Sequence, residues 1–97
     1  MDRQDIIDRL NRHRSELESL GILHLSVFGS MARDEGAASS DIDLLAEFNP
    51  SVRVGFGIVG VERRLGEILG RPVDLLRAPV RKPRLKMAID QDAVLAF

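Results

Sequence analysis

A chain of 97 residues, 44% hydrophobic and 30% charged, has the size and composition of one globular domain over residues 1–97, which excludes a disordered or multi-domain protein. A formal net charge of -1 excludes the global positive field that would gather nucleic acid over an extended footprint or an anionic membrane. The absence of cysteine excludes disulfides and thiolate metal sites, and the acidic, interrupted N-terminus predicts neither a signal peptide nor a membrane span, so we expect a cytoplasmic protein.

The first predicted element is an amphipathic helix over residues 5–20, because apolar side chains recur there at helical spacing and Gly21 follows as a stop. The spacing of the apolar side chains then changes from the helical period to alternation. Residues 22–28, with the sequence ILHLSVF, alternate in polarity and predict a strand. The residues predicted to share its well-buried face are Leu23, Leu25 and Val27.

The rest of the chain predicts two more strands and two more helices. A second strand is predicted over residues 42–48, and a helix over residues 58–69 is expected to end at Gly70. The run PVDLL, residues 72–76, predicts a third strand, and residues 84–97 hold a last helix with an apolar tail. This order predicts an α/β (α+β) domain with one small sheet flanked by helices.

Two acidic residues flank the first residue of the second predicted strand. Asp41 and Asp43 are two residues apart, so in extended backbone both side chains leave the same face of the sheet. Adjacent carboxylates raise each other's pKa unless positive charge lies between them. Mg²⁺ prefers carboxylate oxygens and completes its shell with water and substrate phosphates. The pair therefore predicts a divalent cation site.

Asp74 is the predicted third metal ligand, because VDLL at residues 73–76 repeats the acid-in-apolar-strand pattern of IDLL at residues 42–45. If the two strands are neighbours, three carboxylates converge and can hold two metals about 3.5–4 Å apart, the arrangement used for in-line phosphoryl displacement. Asp74, placed nearest the acceptor, is also the candidate that takes the acceptor's proton.

The Gly29–Ser30 turn is the predicted nucleotide-binding element. Glycine at a strand end lets a phosphate approach the backbone, and Ser30 at a predicted helix N-terminus offers a hydroxyl and free amides to a triphosphate. Two roles remain open for Arg33, a contact with phosphate or a structural ion pair with Glu35 or Asp41. Two roles also remain open for the basic segment 77–86, which either contacts a phosphate or an acidic partner or is a solvated connector.

The motif GSMAR followed by SDIDLL resembles the signature of polymerase-beta-type nucleotidyltransferases, and Asp74 matches that family's third acid. The run SDIDLLAEF…RLGEILGRPVDLL is similar to the minimal nucleotidyltransferases, the antitoxin halves of systems whose toxin is a HEPN-domain RNase. The resemblance implies a nucleotidyltransferase fold with a mixed sheet, Mg²⁺ dependence, and transfer of AMP from ATP to a toxin tyrosine. Where that family usually has glycine after the Ala-Arg pair, this chain has Asp34, so a differently shaped turn is expected.

Two other functions remain open. An antitoxin can neutralise its toxin by binding alone, although a pure binding module has no use for three clustered acids. A stand-alone enzyme can instead add nucleotides to RNA or to a small molecule, although a near-neutral chain is poorly suited to a long RNA footprint. Because the chain is too short for an evident acceptor-binding domain, we expect a separate protein to present the acceptor.

Overall fold

The computed structural model describes residues 1–35, 41–52 and 57–97. This part of the chain forms helices and strands in one mixed arrangement. The helices are α1 (Arg3–Arg12), α2 (Arg14–Ser19), α3 (Gly57–Leu69) and α4 (Pro83–Asp92). The strands are β1 (Ile22–Phe28), β2 (Ile42–Phe48), β3 (Val73–Arg77) and β4 (Val94–Leu95), and a single 3₁₀ turn, Gly29–Met31, follows β1.

The strands form one mixed sheet in the order β3-β2-β1-β4. β2 and β3 run parallel, whereas β1 is antiparallel to both β2 and β4. This arrangement confirms the predicted small mixed sheet flanked by helices. Among the helices of the described residues, none is long and apolar enough to cross a membrane.

One face of the sheet carries the main hydrophobic core. Ile42 and Leu44 of β2 are fully buried there, together with Leu25 and Val27 of β1. Because side chains alternate along a strand, the residues between them point to the opposite face. That opposite face therefore presents Asp43 and the other odd-numbered positions of β2, which positions the carboxylate away from the core.

The predicted opening helix is wrong in its continuity, because the backbone leaves helical geometry at His13, with φ of -104° and ψ of 14°. The break redirects the chain, so that α1 packs on α3 while α2 packs on β1. Ile6 and Leu10 of α1 and Leu17 of α2 are all fully buried as a result. The predicted stop at Gly21 is confirmed by its φ of +101°.

The predicted inward position of Leu23 is also wrong, since 38% of its surface is exposed. The register of β1 against β2 shifts between Ile22 and His24, which is the effect of a β-bulge. An extra residue in one strand reverses the alternation on one side of the bulge. Leu25 and Val27, beyond the bulge, are buried as predicted.

The apolar tail contains a strand that the sequence did not predict. β4 pairs with β1 through Ser26 opposite Leu95 and Val27 opposite Val94. Beyond it, Phe97 is buried, and its carbonyl oxygen accepts a hydrogen bond from the Leu25 N–H at 3.1 Å. The tail therefore closes the edge of the sheet beside β1 and contributes to the core.

Candidate active site

Asp43 and Asp74 face each other across neighbouring strands. The parallel register of β2 and β3 pairs Asp43 with Asp74 and, one residue on, Leu44 with Leu75. Leu44 and Leu75 are buried in the core, so the two aspartates share the opposite face of the sheet. The register thus brings together two of the three acids on which the sequence argument depended.

Asp41 lies just before β2, two residues from Asp43, and is exposed. The pKa of Asp43 is raised by partial burial first, then by the negative charge of Asp74, and then by that of Asp41. Both neighbours therefore act on one half-buried carboxyl group. The structure places all three predicted acids in one electrostatic cluster at the end of the sheet where β2 and β3 begin.

This cluster is not neutralised by the residues that the structure describes. Within them, no hydrogen-bond donor or cationic side chain contacts Asp41, Asp43 or Asp74, although several other acids of the chain form ion pairs. Nor do any three acidic, histidine or cysteine side chains of this part enclose a metal ion by themselves. Besides partial burial, the neighbouring acids still raise the pKa of Asp43, because Coulombic repulsion between carboxylates acts over longer distances than the 2.0–2.1 Å bonds between Mg²⁺ and its ligands.

The donor set suits a hard cation that keeps several water molecules. Carboxylate oxygens are the ligands that Mg²⁺ prefers, and Mg²⁺ is usually bound through one or two carboxylates plus substrate phosphates. An open group of acids with no protein cation nearby fits such a shared site better than it fits a closed structural site. Asp43 and Asp74, which face each other, and Asp41 beside them are therefore the candidate metal ligands of this site.

Gly29 is fixed beside the acids by two independent constraints. Its φ of +71° lies in the left-handed region that disfavours other residues. A Cβ atom at this position would also collide with Oδ2 of Asp43. The close approach follows from the register, which pairs Phe28, the residue before Gly29, with Asp43. The backbone at Gly29 therefore lines the same site as the carboxylates.

Ser30 lies in the single 3₁₀ turn Gly29–Met31, so the predicted helix N-terminus is the start of a short 3₁₀ turn and not of an α-helix. The turn does not extend into an α-helix, because the chain reaches a left-handed residue at Asp34, with φ of 55°. The Ser30 carbonyl oxygen accepts hydrogen bonds from the N–H groups of Arg33 and Glu35. The first amides of such a turn still have no partner within it and remain suited to an anion.

Asp34 adopts the left-handed conformation for which glycine would be the usual choice. Aspartate tolerates this region better than most residues. Its Oδ1 accepts a hydrogen bond from the Arg3 N–H at 2.8 Å, and Arg3 Nη1 donates to the Ala32 carbonyl oxygen at 2.9 Å. The turn that carries Gly29 and Ser30 is thereby attached to the start of α1.

Arg33 makes the structural contact that the sequence left as one alternative. Its guanidinium donates to Glu35 at 3.0 Å and to Asp92 at 2.7 Å. Asp92 ends α4, so this ion pair attaches the same turn to that helix. The other predicted structural partner, Asp41, is not contacted.

Glu62 of α3 is a residue that the sequence argument missed. Its Oε2 accepts a hydrogen bond from the Leu75 N–H at 2.9 Å. β3 lies at an edge of the sheet, and this N–H is not used by the ladder to β2. Glu62 therefore satisfies an edge amide directly after Asp74 and fixes the position of β3 against α3.

Comparison with known proteins places this chain and its fold among nucleotidyltransferases. The family model described as nucleotidyltransferase domain matches residues 8–95. A candidate protein adenylyltransferase of Methanocaldococcus jannaschii is 34% identical over 94 residues, which cover 93% of this chain and 93% of the relative. Protein adenylyltransferase MntA of Thermococcus cleftensis is 36% identical over 89 residues, which cover 89% of this chain and 83% of the relative.

Solved structures show the same architecture. A candidate minimal nucleotidyltransferase superposes with a TM-score of 0.78 at 29% identity, covering 97% of this chain and 95% of that chain. A chain in the structure of a tri-AMPylated Shewanella oneidensis HEPN toxin with its MNT antitoxin superposes with a TM-score of 0.65. Its identity is 15%, over 92% of this chain and 69% of that chain, so this second likeness concerns the fold alone.

Proposed function

The chain belongs to the nucleotidyltransferase domain family, and from this premise we propose that it transfers AMP from ATP to a hydroxyl group of a separate protein, with Mg²⁺ as cofactor. The proposed acceptor is a tyrosine of a HEPN-domain toxin, so the chain acts as an antitoxin. The names of the two relatives support protein adenylylation. A structural neighbour that pairs an AMPylated HEPN toxin with its antitoxin supports the class of partner.

The observation that carries the proposal is the position of Asp43, which lies opposite Asp74 and against the backbone of Gly29. Like charges so placed cost folding free energy unless a ligand neutralises them. A phosphate-binding turn would have no reason to lie against a carboxylate unless a cation joined the two. A metal–triphosphate complex is the ligand that satisfies both sides.

Each residue then has a defined task. Asp41, Asp43 and Asp74 would hold Mg²⁺, and the Gly29–Ser30 turn would bind the β- and γ-phosphates through backbone amides and the Ser30 hydroxyl. Mg²⁺, when bound, supplies the positive charge that neutralises the triphosphate and lowers the pKa of the acceptor hydroxyl.

The transfer itself is an in-line displacement at the α-phosphorus. The acceptor oxygen forms a bond to that phosphorus, while the bond from the phosphorus to the oxygen that bridges the α- and β-phosphates breaks. Pyrophosphate leaves with the electron pair, and the acceptor's proton passes to the carboxylate of Asp74. Asp74 suits this task because it is exposed and lies on the edge strand β3, where an acceptor protein can approach.

The test uses ATP labelled at the α-phosphate, Mg²⁺, this chain and a candidate HEPN-domain partner. Asp43→Asn and Asp74→Asn are expected to lower label transfer about 10²–10⁴-fold, the range for loss of a group that acts on the reacting atoms. Asp90→Asn, at an exposed position on α4, is the matched control and is expected to transfer normally.

Two results would contradict the proposal. One is the absence of label on the partner with the wild-type chain under conditions in which the partner binds. The other is toxin inhibition that survives Asp43→Asn in full, which would assign neutralisation to binding alone.

A further inference from the structure

A cleft of about 320 Å³ opens where β3 ends and α4 begins. We call it the basic cleft. Its apolar lining consists of Leu76, Pro79, Val80 and Leu85, and its cationic lining of Arg77, Arg81 and Lys82. The cleft therefore offers an apolar floor with positive charge at its rim, and none of the residues assigned to the candidate active site lines it.

The cleft lies farther along β3 from Asp74 and across the sheet from the Gly29–Ser30 turn. Leu76 follows Asp74 by two residues and shares its face of β3, because Leu75 between them is buried on the other face. Two residues of strand span about 7 Å. The Gly29–Ser30 turn follows β1, which β2 separates from β3, so the cleft and the proposed triphosphate site lie on opposite sides of the acids.

No acid of the described residues neutralises the cations of the cleft. Within the described part of the chain, Arg77, Arg81 and Lys82 form no ion pair with an acid. Arg33 and Arg64, by contrast, each pair with two. Arg77 instead lies over the ring of Phe48, with its guanidinium carbon 5.7 Å from the ring centroid, which is within cation–π range. Unpaired cations beside apolar surface are complementary to an anionic ligand that also carries an apolar group.

An acidic polypeptide segment fits this chemistry better than RNA does. The described lining of the cleft contains no aromatic side chain on which a base could stack, and stacking provides much of the affinity for single-stranded nucleic acid. An apolar side chain gains free energy among Leu76, Val80 and Leu85, while neighbouring carboxylates reach the cations at the rim.

We propose that the basic cleft binds an acidic, apolar segment of the acceptor protein and so selects which hydroxyl group reaches Asp74. The inference rests on the proposed function for the identity of that hydroxyl as an AMP acceptor. Because an extended chain advances about 3.3 Å per residue, the bound segment begins about two to four residues from the modified residue. Acceptors are therefore expected to carry glutamate or aspartate and an aliphatic side chain at that separation from the tyrosine.

The test measures binding without ATP or Mg²⁺, by fluorescence anisotropy of labelled synthetic peptides. The probe contains one tyrosine followed, three residues on, by the sequence Glu-Leu-Glu, and the comparison peptide has lysine in place of both glutamates. Arg81→Glu with Lys82→Glu is expected to weaken binding of the acidic peptide about tenfold or more, the scale of losing a close charge pair.

Arg84→Glu with Lys86→Glu is the matched control. It makes the same change in net charge in the same segment, at exposed positions that do not line the cleft. We expect it to weaken binding clearly less than the Arg81→Glu with Lys82→Glu variant does, because these two exposed side chains do not line the cleft and solvent screens their charges. Circular dichroism of both variants checks that each is folded.

Three outcomes would overturn the inference. They are equal losses in the two double variants, no saturable binding of the acidic peptide up to about 1 mM, and displacement of the peptide by a ten-nucleotide RNA that binds more tightly to the same residues. If the acidic peptide binds as expected but wild-type chain with Mg²⁺ and ATP transfers no AMP to any acceptor, the cleft stands as a docking site and the proposed transferase function fails.

Discussion

Asp43 lies directly opposite Asp74 in the parallel register of β2 and β3. The negative charges of Asp74 and Asp41 add to partial burial in raising the pKa of Asp43, and no cation of the described residues offsets them. Unfavourable local electrostatics of this kind are common at functional sites, where the ligand supplies the missing charge.

Asp43→Asn is expected to raise the thermal stability of the metal-free protein at neutral pH. An acid whose pKa is raised on folding binds its proton more tightly in the folded state, so its contribution to stability falls as pH rises from 3.8, its ordinary value, through the folded pKa. The gain should therefore disappear in acid, where Asp43 is protonated in both states. Thermal unfolding of wild type and variant across this pH range checks it, and a gain that is unchanged in acid would contradict it.

Gly29→Ala is expected to destabilise the protein by about 1–2 kcal/mol from its left-handed backbone alone, before the collision with Asp43 is added. Gly60→Ala is the matched control, because a Cβ at this position of α3 meets no atom within 4 Å. Alanine within a helix is favoured over glycine, so this control should gain about 0.5–1 kcal/mol. Urea unfolding distinguishes the two, and equal effects at both glycines would refute the close approach at Gly29.

Glu62→Ala is expected to cost about 1.5–3 kcal/mol, because it removes a hydrogen bond to a charged acceptor and leaves the Leu75 N–H without that partner. Glu62→Gln keeps an acceptor oxygen and should retain most of the stability. As a positioning residue for β3, Glu62 should also affect AMP transfer through kcat rather than through the KM for ATP. A Gln variant as unstable as the Ala variant would show that the hydrogen bond does not fix β3.

Asp34→Ala is expected to lower the free energy of unfolding by about 1 kcal/mol, because alanine keeps the left-handed backbone and loses the bond to the Arg3 N–H. Asp34→Gly loses the same bond but relieves the left-handed backbone, so the two effects should nearly cancel. Chemical denaturation of both variants measures the difference. Glycine that is no more stable than alanine here would contradict the backbone argument.

The strands and the acidic cluster could be predicted because their signals are local. β1 and β2 have the predicted bounds, 22–28 and 42–48, since polarity alternates along each and turn residues follow. A charged residue inside an apolar strand, such as Asp74, is rare enough to indicate a partner. Parallel pairing of the two similar runs then placed Asp74 beside Asp43.

The remaining features depend on contacts between distant segments. β4 has two residues, Val94 and Leu95, and becomes a strand only through its pairing with β1. The break at His13 arises because α1 and α2 pack on different elements. Glu62 has no distinguishing pattern within α3, because its role depends on which edge of β3 stays unpaired. The roles of Asp41, Asp43, Asp74, Gly29 and Ser30 in catalysis stay predictions.

The most direct test of the central claim is a titration of Mn²⁺, followed by electron paramagnetic resonance, in the presence of a non-hydrolysable ATP analogue. We expect the wild-type chain to bind two Mn²⁺ ions with the nucleotide, as two-metal phosphoryl-transfer sites do. Asp43→Asn and Asp74→Asn should each weaken that binding about tenfold or more, whereas Asp90→Asn should not. Equal binding by all four proteins, or binding no tighter than that of the nucleotide alone, would contradict a metal site built from these carboxylates.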